Sequence, residues 1–440
     1  MFILYDLIFT IIAIIYFPVY LFKGKFHAGF LSRLGFLPKG FPFNRPVWIH
    51  AVSVGEAMAV RGLVEGLRKA YPERKFIIST VTPTGNKVAI GLAKEGDFVT
   101  YLPLDLSFIV RSIIKRIKPS LFIIVETEIW PNLIQCLYKN KIPVVAVNGR
   151  ISDASFKGYL SIKFLVKAIL EKISLFCVQT SRDKERLMRL GVGREEIKVT
   201  GNMKFDAAKI CAKIQGPADL KAQMDLGPKD KILVAGSTHP QEDEIILGAY
   251  KDLLSEFRGL KLIIAPRHPE RSREISKIAS RFGFRSVLAS EFPFKCDDCI
   301  ESPVFIIDII GRLFNFYSIA DIVFVGGSLV KKGGQNILEP ASLSKPVIFG
   351  PFMFNFRDIA DLFLSNSAAV MIRDQQELKR SIADFLNNFP RAVEMGERAK
   401  QLTLQNQGAT GKTIEWIKEL LLNYASVLFV VILRGGMFNV

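Results

Sequence analysis

The chain has 440 residues, 49% of them hydrophobic, and a formal net charge of +17 from 59 Lys and Arg against 42 Asp and Glu. That length implies two or three domains, each able to bury a core, and the basic excess implies an anionic partner: nucleic acid, a phosphorylated metabolite or anionic lipid. The 5 scattered cysteines exclude a disulfide framework, and the lone CxxC of Cys296 and Cys299 lacks the second Cys pair or His pair that zinc needs.

Residues 2–22 form an apolar run with one charge, Asp6, followed by Lys23, Lys25 and Arg33. The run is long enough to cross a bilayer, and its basic flank puts the bulk of the chain in the cytoplasm. No basic residue precedes it and no small-residue cleavage site ends it, which weighs against a signal peptide. Residues 1–22 are therefore read as a membrane anchor; a non-spanning anchor and a buried soluble helix are the other readings. From residue 46 on, short apolar strands alternate with helical stretches. The strands are expected at 47–52, 76–80, 121–125, 144–147 and 175–179, then at 231–235, 260–265, 304–307, 322–325 and 347–349. Two βαβ series predict two doubly wound, parallel α/β domains in tandem, at 40–205 and 228–405, with a cleft between them. Residues 205–230 read as a linker. Residues 406–440 read as a C-terminal helix near 413–424 and an apolar tail after 425 that has no evident place in a core.

Polar residues gather where strands end, the edge at which open α/β sheets bind ligands. In "WIHAVSVGEAMAV" (48–60) a strand gives way to Ser53, Gly55 and Glu56 and then to a helix. Glu56 reads either as a helix cap or as a proton acceptor. "STVTPTG" (79–85) carries Thr82, Thr84 and Gly85, and "VNGRIS" (147–152) carries Arg150. In "VETEIWPN" (125–132), Glu126 is either paired with a Lys or Arg or serves as a second acid near Glu56. In the second domain "AGSTHPQEDE" (235–244) contains Ser237, and "APRHPER" (265–271) contains Arg267 and His268. Arg267 offers a fork for phosphate or pairs with a domain acid. "VGGSLVKKGGQNILEP" (325–340) sets Gly326, Gly327 and Ser328 as an anion-binding turn, ahead of a helix with Asn336 and Glu339. No GxxxxGK[ST] motif, no GxGxxG after the first strand and no Asp-x-Asp pair is present, so a metal-independent nucleotide-linked donor is expected, with no cofactor.

Together these segments resemble the 3-deoxy-D-manno-octulosonic acid (Kdo) transferases of lipopolysaccharide assembly. "WIHAVSVGE", "TPTG", "VETEIWPN", "VNGRISDASFKGY", "GNMKFD", "AGSTH", "PRHPER", "FVGGSLVKKGGQNILEP" and "FGPFMFNFRD" match in order over residues 1–410. The resemblance implies a GT-B fold of two Rossmann-like domains and an N-terminal anchor at the cytoplasmic face of the inner membrane. It also implies CMP-Kdo as donor and a lipid A precursor (tetraacyldisaccharide bisphosphate, lipid IVA) as acceptor. Glu56 then matches the family's proposed general base, kept ionised by the helix dipole, and Glu126 matches the first acid of "ETEIWP". Lys204, Ser237, Arg267, His268, Gly326, Gly327, Asn336 and Glu339 fall on the donor side. Ser53, Gly55, Thr82, Thr84, Gly85 and Arg150 fall on the acceptor side. "GGQN" stands where the family more often reads "GGHN". The stretch with Phe156, Lys157, Leu160, Lys163, Phe164 and Lys167 reads as a membrane-facing helix or a solvated basic face. Another GT-B-like enzyme, an epimerase or a different lipid glycosyltransferase, is the alternative; a nucleic-acid binder fits poorly, because Lys and Arg are spread along the chain.

Overall fold

A computed structural model describes residues 2–22, 29–38, 44–210, 216–293 and 303–435. The described residues form two compact units, Met1–Ala207 with Gln407–Val440, and Ala208–Asn406.

The first unit holds strands β1 (Val47–His50), β2 (Phe76–Thr80), β3 (Phe98–Tyr101), β4 (Leu121–Val125), β5 (Val144–Gly149), β6 (Leu175–Val178) and β7 (Ile197–Val199). They pair in parallel in the order β3-β2-β1-β4-β5-β6-β7. The central strands are continuous apolar runs because helices cover both faces of the sheet. Trp48 and Phe122 fill one face, Ile49, Leu63 and Val145 the other. The second unit repeats the plan with β8 (Lys231–Thr238), β9 (Leu260–Pro266), β10 (Ser286–Leu288), β11 (Val304–Ile306), β12 (Ile322–Val325), β13 (Val347–Phe349) and β14 (Val370–Met371). Its order is β10-β11-β9-β8-β12-β13-β14, again parallel.

All ten expected strands are present; β3, β7, β10 and β14 are additions. They are short and lie at or near the sheet edges, where β3 and β14 are only partly buried. Such strands have no need of an apolar run on both faces. The expected linker is partly helical, with helices at Lys204–Ile210 and Pro217–Gln223. The C-terminal segment is not a separate domain. Its helix, Ala409–Gly435, packs Ile414, Trp416, Ile417, Leu420 and Leu421 into the core of the first unit. The CxxC of Cys296 and Cys299, and residues 436–440 of the tail, lie outside the described residues.

The N-terminal run is a helix, Phe2–Phe22. Among the described residues no helix is long and apolar enough to cross a membrane, so the expected spanning segment is not supported. Asp6, its one charge, is turned toward the first unit. One of its oxygens accepts hydrogen bonds from the Ser107 amide at 3.1 Å and from Asn132 Nδ2 at 2.6 Å. Ile3, Leu7, Ile14 and Ile15 face outward and exposed.

Candidate active site

In the first sheet the strand order reverses between β1 and β4, and the crevice beyond their carboxyl ends is the expected ligand position. The turn after β1 supplies Ser53, Gly55 and Glu56. Ser53 is extended and caps the helix Val54–Ala59, its Oγ accepting from the Glu56 amide at 3.4 Å. The Glu56 carboxylate folds back, accepting from the Val52 amide at 2.7 Å and from the Ser53 hydroxyl at 3.0 Å. The capping reading is therefore physically present. It does not exhaust the residue. Burial, and then the negative charge of Glu126, push the Glu56 carboxyl up to about 7, against these two hydrogen bonds. The expectation that the helix dipole keeps Glu56 fully ionised is corrected: desolvation outweighs it.

The turn is buttressed by the one after β2. Thr82 caps the helix Pro83–Leu92, accepting from the Gly85 amide at 3.0 Å, and its hydroxyl reaches the Val52 carbonyl at 3.4 Å. A Cβ on Gly85 would lie 2.9 Å from Thr82 Oγ1 and 3.4 Å from the Val52 carbonyl oxygen, so glycine lets the two turns meet. Thr84 is exposed and its hydroxyl donates to the Thr82 hydroxyl at 3.5 Å; Gly55 is exposed.

Beyond β4, Glu126 adopts a left-handed φ of 60°, an uncommon backbone conformation for a residue with a side chain. Its amide donates to the Val147 carbonyl at 2.8 Å, and its carboxylate lies 3.7 Å from Lys204 Nζ. The pairing reading of Glu126 is realised. Lys204, assigned to the donor side, sits in the first unit beside Glu126. Glu128 is half-buried and its carboxyl is raised by burial and by Glu126. Arg150 contributes through its backbone, exchanging two hydrogen bonds with the Thr127 hydroxyl. His50, at the end of β1, was not singled out by sequence. It is fully buried, and burial pushes it down to about 4. Its Nδ1 meets Ser79, its Nε2 has no partner, and its ring lies edge-on to Trp130.

The second sheet reverses between β8 and β12. Ser237, at φ 57°, makes a bulge in the last residues of β8, and Gly326 and Gly327 turn the chain after β12. A Cβ on Gly326 would lie 2.6 Å from the Ser237 carbonyl oxygen. The sequence pointed to an external anion in the Gly326–Ser328 turn. Instead the amides of Gly327, Ser328 and Leu329 donate to the buried carboxylate of Glu242, at 2.7, 2.9 and 2.9 Å. The chain supplies its own anion there, and the turn has no free donors to offer a phosphate.

The cations stand nearby. Arg267 and His268 follow β9 and are exposed. Arg271, rather than Arg267, takes the domain acid, bridging to Asp243 at 2.6 Å. The charge of Arg267 reaches Glu339, whose carboxyl is raised by burial and which accepts from Asn336 at 3.0 Å. His239, also missed by sequence, is pushed down to about 4 by burial and by the surrounding charges of His268, Lys332, Arg267 and Arg271. Its ring lies edge-on to His268 and 3.4 Å from Gln335 Nε2. Burial is the larger cause; the lesser one places Arg267, Arg271 and Lys332 close enough to His239 for their charges to be felt there. A cavity of about 520 Å³ lies beyond β10 and β11, lined by Ser290, Phe292, Arg312, Asn315 and Phe316. Among the described residues no group of three or more His, Cys, Asp or Glu is placed to hold a metal ion.

Residues 28–207 match the family described as 3-deoxy-D-manno-octulosonic-acid transferase (kdotransferase). The 3-deoxy-D-manno-octulosonic acid transferase of Haemophilus influenzae is 34% identical over 384 residues, covering 86% of this chain and 88% of that protein. A UDP-GlcNAc 2-epimerase from Neisseria meningitidis, solved with UDP-GlcNAc, superposes with a TM-score of 0.56 at 14% identity, over 86% of this chain and 100% of that one. A glycosyltransferase from Rickettsia africae gives 0.55 at 16%, over 86% and 99%. The two solved structures share the GT-B architecture; the likeness in sequence is what separates transfer from epimerisation.

Proposed function

The chain belongs to the Kdo transferase family of glycosyltransferases, and from that premise we propose that it moves Kdo from CMP-Kdo to a lipid A precursor, with Glu56 as the general base. The observation that carries this is the Glu56 carboxyl, fixed at the switch point of the first sheet with its proton affinity raised to about 7. A base of that strength takes up a proton near neutral pH and releases it again.

The acceptor hydroxyl oxygen bonds to the anomeric carbon of Kdo as the bond from that carbon to the CMP phosphate oxygen breaks. The hydroxyl proton passes to Glu56, and CMP leaves with the electron pair. No covalent intermediate forms, so one carboxylate suffices and the configuration inverts. Glu126, held by Lys204, keeps a negative charge beside the base and raises its proton affinity. Arg267, His268 and Lys332 meet the charge developing on the departing phosphate, work that needs no metal in this reading. The exposed Ile3, Leu7, Ile14 and Ile15 support an anchor that lies in the cytoplasmic leaflet of the inner membrane without crossing it. The net charge of +17 suits an acceptor that carries phosphates in an anionic surface.

The test is mass spectrometry of lipid IVA incubated with the enzyme and CMP-Kdo, alongside UDP-sugars as donors. Addition of Kdo with release of CMP is expected. Turnover of a UDP-sugar with none of CMP-Kdo would replace this reading with the epimerase-like one.

A further inference from the structure

Glu242 lies in the first turn of the helix Glu242–Leu254, where an acid ordinarily reads as a complement to the helix dipole. Its surroundings ask for more than that. It is 0% exposed, and it sits at the switch point of the second sheet, where a ligand is expected. One of its oxygens accepts from the amides of Ser328 and Leu329, both at 2.9 Å. The other accepts from Gly327 at 2.7 Å and from His239 at 2.9 Å. Four charge-assisted hydrogen bonds thus join the turn after β8 to the turn after β12.

The ties continue outward. The Gly327 carbonyl accepts from the Gly334 amide at 2.8 Å, which fixes the second glycine pair ahead of Gln335, Asn336 and Glu339. The Ser328 hydroxyl accepts from the Gly350 amide at 2.8 Å, and the Ser328 carbonyl from Phe352 at 2.9 Å, which fixes the turn after β13. A Cβ on Gly350 would lie 2.3 Å from the Ser328 carbonyl oxygen, so the two turns are in direct contact.

We propose that Glu242 is a positioning residue: an internal carboxylate that gathers the turns after β8, β12 and β13 into the donor-binding edge and leaves the donor phosphate to the exposed side chains of Arg267, His268 and Lys332. The proposal rests on the reading of this edge as the CMP-sugar site. Its chemistry is specific to a carboxylate. Two anionic oxygens satisfy four N–H donors, whereas an amide presents one acceptor and turns its own N–H groups against donors.

The test uses the full chain, with CMP as the probe. Calorimetry well below the melting temperature compares the parent protein with Glu242→Gln and Glu242→Asp. Hydrogen exchange of the same samples, without CMP, reports on residues 327–334 and 350–352. The expected result for Glu242→Gln is a tenfold or greater loss of CMP affinity, with faster exchange confined to those turns. Glu242→Asp, which keeps the charge but shortens its reach, should recover part of both. A purely structural role would lower the melting temperature and leave CMP affinity unchanged in the folded protein, and that result overturns the proposal. If Glu242→Gln does not fold, Glu242→Asp decides: parent-like affinity and exchange overturn the proposal, and a loss in both supports it. If the parent protein does not bind CMP, the donor-site reading falls. The exchange arm then judges Glu242 alone: unchanged protection at these turns overturns it.

Discussion

The switch points of the two sheets are built alike and polarised in opposite directions. In the first unit Glu56, Glu126 and Glu128 gather with one lysine, Lys204, against Glu126. Burial and mutual repulsion raise Glu56 and Glu128. In the second unit the carboxylate of Glu242 is surrounded by amides, and the exposed groups are Arg267, His268 and Lys332. Burial raises the carboxyl of Glu242 as well as that of the partly buried Glu56; the difference lies in how each is satisfied. Glu242 spends its lone pairs on four backbone donors and organises loops. Glu56 has one backbone donor and one hydroxyl, and its proton affinity is left near neutrality. The two proposals thus give the same residue type the part of scaffold at one edge and of reagent at the other.

The sharpest way to break this contrast is Glu56→Gln. It keeps the size of the side chain and most of its capping geometry but accepts no proton. Single-turnover Kdo transfer should fall about 10²–10⁴-fold, while CMP binding stays at the parent level. Near-parent transfer in a folded variant would return Glu56 to the role of a cap. The next largest effect is expected at the opposite pole. Arg267→Ala should weaken CMP binding by about 10- to 150-fold, the equivalent of one charge-assisted contact. Calorimetry that shows no change would remove Arg267 from the phosphate.

A smaller effect lies in the pH profile. As the proposed base, Glu56 would act deprotonated, and with its carboxyl raised to about 7 turnover should drop up to tenfold for each unit below that pH. Glu126→Gln removes the like charge that raises Glu56, so the limb should move to lower pH by roughly one unit or less. A limb that stays in place would mean Glu126 does not tune the base. The subtlest consequence is for stability. Glu56 ionises at about 7 in the folded protein against 4.5 for a free glutamate side chain. The native state therefore holds the proton more tightly than the unfolded chain. Its contribution is fully present below the unfolded pKa and is lost as pH rises through the window between the two values. Thermal melts of Glu56→Gln should fall less steeply across that window than those of the parent; parallel curves would show that Glu56 does not carry the linkage.

Much of the fold was legible because a parallel sheet covered on both sides writes its strands as unbroken apolar runs. Leu121–Val125 and Ile322–Val325 were located to the residue. Phe98–Tyr101, with three of its four residues only partly buried, carried no such run and was missed. At the site, the position of Glu56 could be read because strand, turn and helix are contiguous. Pairings across long separations could not. Lys204 meets Glu126 from 78 residues away, and Glu242 meets Gly327 from 85 residues away. In sequence Glu242 is one acid among several in "PQEDE", and nothing there distinguishes the residue that binds four amides from a neighbour that caps. The glycine turn was read as a receptor for an external phosphate; the carboxylate its amides hold is that of Glu242, from the chain itself.

The returning C-terminal helix bears on how the protein is made. Ile417 is fully buried, and Gly66 is small because the tip of Ile414 occupies the space its side chain would need, 2.2 Å from the missing Cβ. The core face built from Ala57, Leu63, Val64 and Leu67 is therefore sealed by residues that leave the ribosome only after the whole of Ala208–Asn406. Ala208–Asn406 carries a core of its own and can close as soon as it has emerged. The first unit waits with an apolar face open until the helix Ala409–Gly435 arrives, so the order of completion reverses the order in which the two units begin to emerge.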